Sequence, residues 1–203
     1  MKIVGLTGGI GSGKTTIANL FRGLGVPIYI SDQEAKRLMH DHKMLKSQII
    51  ALLGEDAYVD NSLNRAWIAD KVFGDETLLK RLNVLVHPVV AKDFLTWSQK
   101  QKGAYVIKEV AVLFETGGQH YCDITLLVTA PKEERIARVM KRDQVSRAQV
   151  EERLRHQWDD AKKEQLADMV VVNTGLESTR SHVQKIHEML ESNSDLPPNM
   201  KYC

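Results

Sequence analysis

The sequence predicts an α/β fold in three layers, α/β/α, with a five-stranded parallel sheet, a helical insertion and a helical lid. Three observations carry that prediction. Residues 8–15, Gly8-Gly9-Ile10-Gly11-Ser12-Gly13-Lys14-Thr15, fit the pattern G-x-x-x-x-G-K-[ST]. Short apolar runs alternate with amphipathic stretches, as in a parallel sheet covered on both faces. Residues 32–102 carry helical periodicity and no convincing strand, far more chain than a crossover between two parallel strands needs. The core is therefore that of a phosphate-loop NTPase, one domain with its core in residues 1–31 and 104–192. The insertion spans about 32–103 and the lid about 142–160.

Lys2-Ile3-Val4-Gly5-Leu6-Thr7 reads as a buried strand running into the loop. A helix follows from near Lys14, with Ile17, Leu20 and Phe21 at helical spacing. Strand, loop, helix is the context that the motif requires. Val26 to Ile30 reads as the second strand. Ser31 and Glu34 have capping-box spacing, so a helix starts there and leaves Asp32 at a strand's C-terminal end. In open α/β sheets ligands bind on that side. Helices are expected over Lys43–Leu53, Leu63–Phe73 and Asp75–Gln101, with Gly54 and Gly74 as stops. Pro88 disfavours helix at His87, which predicts a kink or break in the last of these.

Strands resume at Ala104–Val110 and Asp123–Thr129. Pro131 suits the first turn of the next helix, with Glu133 and Glu134 near its positive end. That helix runs to about Arg142. Ser146 and Gln149 form a second capping-box pattern, opening a helix rich in Arg and Glu. Met169–Val172 is the fifth strand, and Ser178–Leu190 the closing helix. The tail, residues 193–203 with Pro197-Pro198, is expected to be loose.

Composition narrows the function classes. The chain has 203 residues and a net charge of +2, from 28 basic and 26 acidic residues. That balance gives no argument for nucleic acid or membrane as a partner. Two cysteines, Cys122 and Cys203, make neither a disulfide scaffold nor a metal site, and Cys122 reads as a buried free thiol. No apolar run approaches the length of a membrane span, and the first residues lack a signal-peptide pattern, so a cytoplasmic location is expected. Nothing in the sequence fixes an oligomeric state.

The loop assigns its own residues. Its glycines let successive N–H groups face phosphate oxygens, so Gly9, Gly11, Ser12, Gly13, Lys14, Thr15 and Thr16 are candidate nucleotide contacts. Lys14 can place its ammonium between the β- and γ-phosphates, and Thr15 can ligate Mg²⁺. The guanine-reading motif of common GTPases, Asn-Lys-x-Asp, does not occur, and Glu109 is a poor match to the Mg²⁺-holding aspartate of motor ATPases. A short chain with an acceptor-sized insertion and an arginine-rich lid fits a small-molecule kinase.

With these residues in place, the chain resembles one family from residue 2 to about 190, dephospho-coenzyme A kinase. The resemblance rests on Leu6–Thr16, Asp32 and Ala35, Val72-Phe73 and Leu85-Val86-His87-Pro88. It continues through Leu113-Phe114-Glu115, then Lys141-Arg142-Asp143, Ser146, Arg153 and Gln157, and ends in Ala167-Asp168 and Asn173-Thr174-Gly175. Ala111-Val112 stands where the family has Pro-Leu. The resemblance implies ATP and Mg²⁺ as cofactors and dephospho-coenzyme A as acceptor, phosphorylated on its ribose 3′-hydroxyl. The alternative is a nucleoside or nucleotide kinase, or another small-molecule phosphate-loop kinase. The resemblance further implies Lys14, Asp32 and Arg142 as catalytic residues, with Asp32 taking the hydroxyl proton and Arg142 reaching the nucleotide from the lid. Asn173 would join the nucleotide site, and Asp32, His87 and Glu115 the acceptor site. Arg135, Arg138, Arg147, Arg153 and Arg155 surround Arg142, and most of such a run is expected to be solvated helix face.

Overall fold

A computed structural model describes residues 1–72, 74–192 and 200–202. The chain forms two compact units, residues 1–29 with 101–203 and residues 30–100.

The first unit is built on a sheet in the order β2-β5-β1-β6-β7-β8. Its strands are β1 (Lys2–Gly8), β2 (Ile28–Ile30), β5 (Tyr105–Glu109), β6 (Ile124–Thr129), β7 (Met169–Val172) and β8 (Met200–Tyr202). β1 pairs in parallel with β5 and β6, β6 with β7, and β7 with β8. The five expected strands are present. A sixth, β8, corrects the expectation of a loose tail for residues 200–202 alone: Met200 pairs with Met169, and Lys201 forms an ion pair with Glu164 at 2.9 Å. Met200 and Tyr202 also pack on the main core, which is why so short a segment holds as a strand. Pro197, Pro198 and Cys203 lie outside the described residues.

Helices α1 (Lys14–Gly23) and α9 (Leu176–Glu191) supply Ile17, Ala18, Phe21, Val183, Ile186 and Leu190 to that core. From the sheet come Val4 and Leu6, Tyr105 and Ile107, and Ile124, Leu126 and Val128, alternate residues of each strand. The opposite face of β6 and β7 turns Leu127 and Val170 onto Phe114 and Ala167. α6 (Lys132–Asp143), α7 (Arg147–Arg155) and α8 (Asp160–Glu164) follow β6. The capping box at Ser146 and Gln149 forms as the sequence predicts, and Glu133 and Glu134 occupy the first turn of α6.

The second unit holds α2 (Ser31–Asp41), α3 (Lys43–Leu53), α4 (Arg65–Val72) and α5 (Glu76–Ser98) around Leu38, Leu45, Ile49, Ile68, Leu82, Val86, Val90 and Phe94. Phe73, the expected end of α4, lies outside the described residues. Three expectations are corrected. β2 runs straight into α2, so Ile30 takes the cap position and Ser31 lies inside the first turn with no capping bond. A small hairpin, β3 (Tyr58–Val59) and β4 (Ser62–Leu63), stands where no strand was expected. Asp60 and Asn61 turn it with φ of 47° and 64°, the two left-handed positions of a tight hairpin turn. α5 continues through Pro88. Pro88 and Val84 are both exposed, so water can take the Val84 carbonyl that a proline leaves unbonded.

Candidate active site

The phosphate loop joins the C-terminal end of β1 to the N-terminus of α1. Gly13 caps α1 with φ 98°, a left-handed conformation, and a side chain there would collide with the Asn173 carboxamide. Gly11 has φ 78°, and a Cβ on it would come within 2.5 Å of the Arg135 carbonyl. The first helical hydrogen bond of α1 runs from the Ile17 N–H to the Gly13 carbonyl, at 3.2 Å. The N–H groups of Lys14, Thr15 and Thr16 precede it and belong to the donors a helix start leaves for an anion. Thr15 and Thr16 are exposed in that first turn. Lys14 folds back over the loop and donates to the Gly8 carbonyl at 2.6 Å.

Three side chains from elsewhere in the unit bond to the loop backbone. Asn173, 8% exposed at the end of β7, donates to the Ser12 carbonyl at 2.8 Å and accepts from the Thr179 hydroxyl at 3.0 Å. Its amide therefore grips loop backbone and α9. Arg135 is buried, donates through Nε to the Ile10 carbonyl at 2.9 Å, and forms an ion pair with Asp160. Asp160 also accepts from the Thr129 hydroxyl at 2.7 Å. Gln157 accepts from the Ile10 N–H at 2.8 Å. Arg135 is the buried exception in an arginine run that is otherwise half-exposed or exposed. Its sequence signal was a charge on the same helical stripe as the buried Ile136 and Val139. Beside it opens a cleft of ≈ 690 Å³ whose walls include Thr129, Lys132, Gln157, Trp158 and Asp160.

Arg142 is exposed and forks onto Asp143, its Nε 2.7 Å from Oδ1. Arg153 adds a second donor at 2.8 Å. The paired guanidinium holds the Asp143 carboxyl down to about 2 and raises Arg142. Glu115 forms an ion pair with Lys163 at 2.8 Å and accepts from the Trp158 backbone N–H at 3.1 Å. Lys163 is completely buried, and nothing in its sequence surroundings marks it. Asp32 is exposed in the first turn of α2, and His87 is exposed on α5. Cys122 is a free thiol that burial pushes up to about 11. Among the described residues no helix is long and apolar enough to cross a membrane.

A parallel sheet flanked by helices, with a braced phosphate loop after its central first strand, defines the class: a phosphate-loop kinase fold. The family model for dephospho-CoA kinase matches residues 2–178. A dephospho-CoA kinase from Salinibacter ruber is 40% identical over 86% of this chain and 90% of its own. One from Bacteroides fragilis is 33% identical over 95% and 98%. A solved Thermus thermophilus structure superposes with a TM-score of 0.84 at 36% identity, covering 92% of this chain and 96% of its own. The chain belongs to the dephospho-CoA kinase family.

Proposed function

We propose that this protein transfers the γ-phosphoryl group of ATP to the 3′-hydroxyl of the dephospho-coenzyme A ribose, giving coenzyme A and ADP. The observation that carries the reading is the phosphate loop with Lys14 and Thr15 at the open start of α1, in a chain of this family. Phosphoryl transfer asks a protein mainly for positioning and charge stabilisation. Lys14 would leave the Gly8 carbonyl for the β- and γ-phosphates, a short swing for an ammonium already over the loop. The Thr15 hydroxyl, exposed on the first turn of α1, fits a Mg²⁺ ligand. Mg²⁺ bound there would neutralise charge on the phosphate oxygens. Asn173, Arg135 and Gln157 would keep the loop in the shape the phosphates need. Asp32 would accept the hydroxyl proton, and Arg142 would exchange Asp143 for phosphate. His87 and Glu115 complete the proposed acceptor contacts. A cytoplasmic location would suit this substrate.

The test is ADP release from the purified protein and ATP–Mg²⁺, with dephospho-coenzyme A, a nucleoside, a nucleoside monophosphate or no acceptor. Turnover is expected with dephospho-coenzyme A alone. Turnover on a nucleoside and none on dephospho-coenzyme A would refute the assignment.

A further inference from the structure

One residue of the loop is tied to α6, to α7 and to the segment just beyond α7. The half-buried Ile10 side chain packs against a small separate core made by Ile136 and Val139 of α6 and Val150 of α7. Its carbonyl ends on Arg135, in α6, at 2.9 Å. Its N–H ends on Gln157, just beyond α7, at 2.8 Å. Val150 is the one buried residue of α7. The rest of that helix is half-exposed or exposed, and its arginines pair with acidic neighbours: Arg147 with Glu133 and Glu151, Arg153 with Asp143. Exposed ion pairs of this kind hold little. The grip on α7 therefore runs through that cluster, against which Ile10 packs together with Met140, Val145 and Leu154. Ile10 itself cannot shift without moving Arg135, Gln157 or that cluster, because all three of its bonding directions are taken.

We propose that Ile10 is a positioning residue that couples occupancy of the phosphate loop to the order of α7. A nucleotide whose phosphates fix the loop fixes Ile10, and with it the core under the lid helix. By linkage, whatever orders α7 tightens nucleotide binding by the same factor. The inference rests on ATP being the ligand of the loop.

Hydrogen exchange of amides 147–155 in the whole protein, with and without ATP–Mg²⁺ and without acceptor, reads the coupling. Equilibrium dialysis of ATP and thermal melts accompany it. In the wild type, ATP is expected to slow exchange in α7 about fivefold or more, the low end of typical coupling between sites. Ile10→Ala and Gln157→Leu should reduce that slowing to less than about twofold and weaken ATP binding by at most the factor lost, while Ile10→Val restores most of the slowing. A merely structural role would lower the melting temperature and leave the ATP-dependent slowing intact. Full slowing in Gln157→Leu overturns the proposal, and that variant decides the matter if Ile10→Ala does not fold. A wild type that binds ATP without protecting α7 overturns it equally. A wild type that binds no ATP refutes the kinase reading itself and the coupling with it.

Discussion

Replacing Glu115 with glutamine removes the counter-charge of a lysine that water cannot reach. Lys163 is 0% exposed, and its ammonium lies 2.8 Å from Glu115 Oε1. Removing one member of a buried pair typically costs about 3–5 kcal/mol, because an uncompensated charge stays behind. Glutamine keeps an oxygen for the ammonium and for the Trp158 N–H, so the low end, about 3 kcal/mol, applies here. In a chain of this size each kcal/mol moves Tm by about 2–4 °C, so a fall of about 6–12 °C is expected. Urea unfolding of the single variants Glu115→Gln and Lys163→Met, and of the double variant, checks the cause. The double variant should regain most of the loss, since it removes both charges. Steady-state kinetics run beside it. A Tm within a degree or so of wild type, with the KM for dephospho-coenzyme A raised about tenfold, would refute the reasoning and make Glu115 primarily an acceptor contact.

Lys14→Ala should lower kcat by roughly 10²-fold or more with an unchanged circular dichroism spectrum; retention of most activity would remove the ammonium from the mechanism. Asp32→Asn should reduce kcat by about 10²–10⁴-fold and leave ATP binding by dialysis intact; full activity would mean that its carboxylate only favours the start of α2. Arg142→Lys should lower kcat by about 10–100-fold, because lysine cannot reproduce a forked pair of N–H donors on phosphate, whereas Arg147→Lys should change it little. Equal small effects in the two would leave Arg142 a solvated residue paired with Asp143. With its pKa near 11, Cys122 is thiolate in about one molecule in a thousand at pH 8, so iodoacetamide should modify it about 200-fold more slowly in folded than in urea-unfolded Cys203→Ser protein. The rate should rise as pH climbs toward 11; comparable rates at pH 8 would show the thiol to be open.

The parts of the fold legible in the sequence are those whose physics is local. The loop, the five strands and the Ser146–Gln149 box each depend on residues adjacent in the chain. Ser31 failed as a cap because the strand before it leaves no residue in which the chain could turn, a fact of tertiary geometry. Pro88 did not break α5 because it faces outward, which periodicity around a proline does not reveal. The Asp60-Asn61 turn was legible in principle, since both residues tolerate left-handed backbone, but flanking strands of two residues carry no alternation to see. β8 depends on packing against a core formed far away in sequence. The loop's own residues could be read from the motif. Its brace could not, because Arg135, Gln157 and Asn173 act through backbone atoms of residues more than a hundred positions away.

The position of β1 in the sheet sets an order on how the chain can assemble. It is made well before either of its neighbours: Lys2 pairs with Tyr105, and Val4 with Ile107 and Ile124. At about 5–20 residues per second, a nascent chain carries this apolar strand unpaired for roughly 5–20 seconds before its first partner is synthesised. Residues 30–100, contiguous in sequence, have all their internal partners by then. On the ribosome, protease protection should therefore appear over 30–100 before it reaches residues 2–8. In that interval, the strand that will sit at the centre of the sheet is the segment most in need of shelter from other chains.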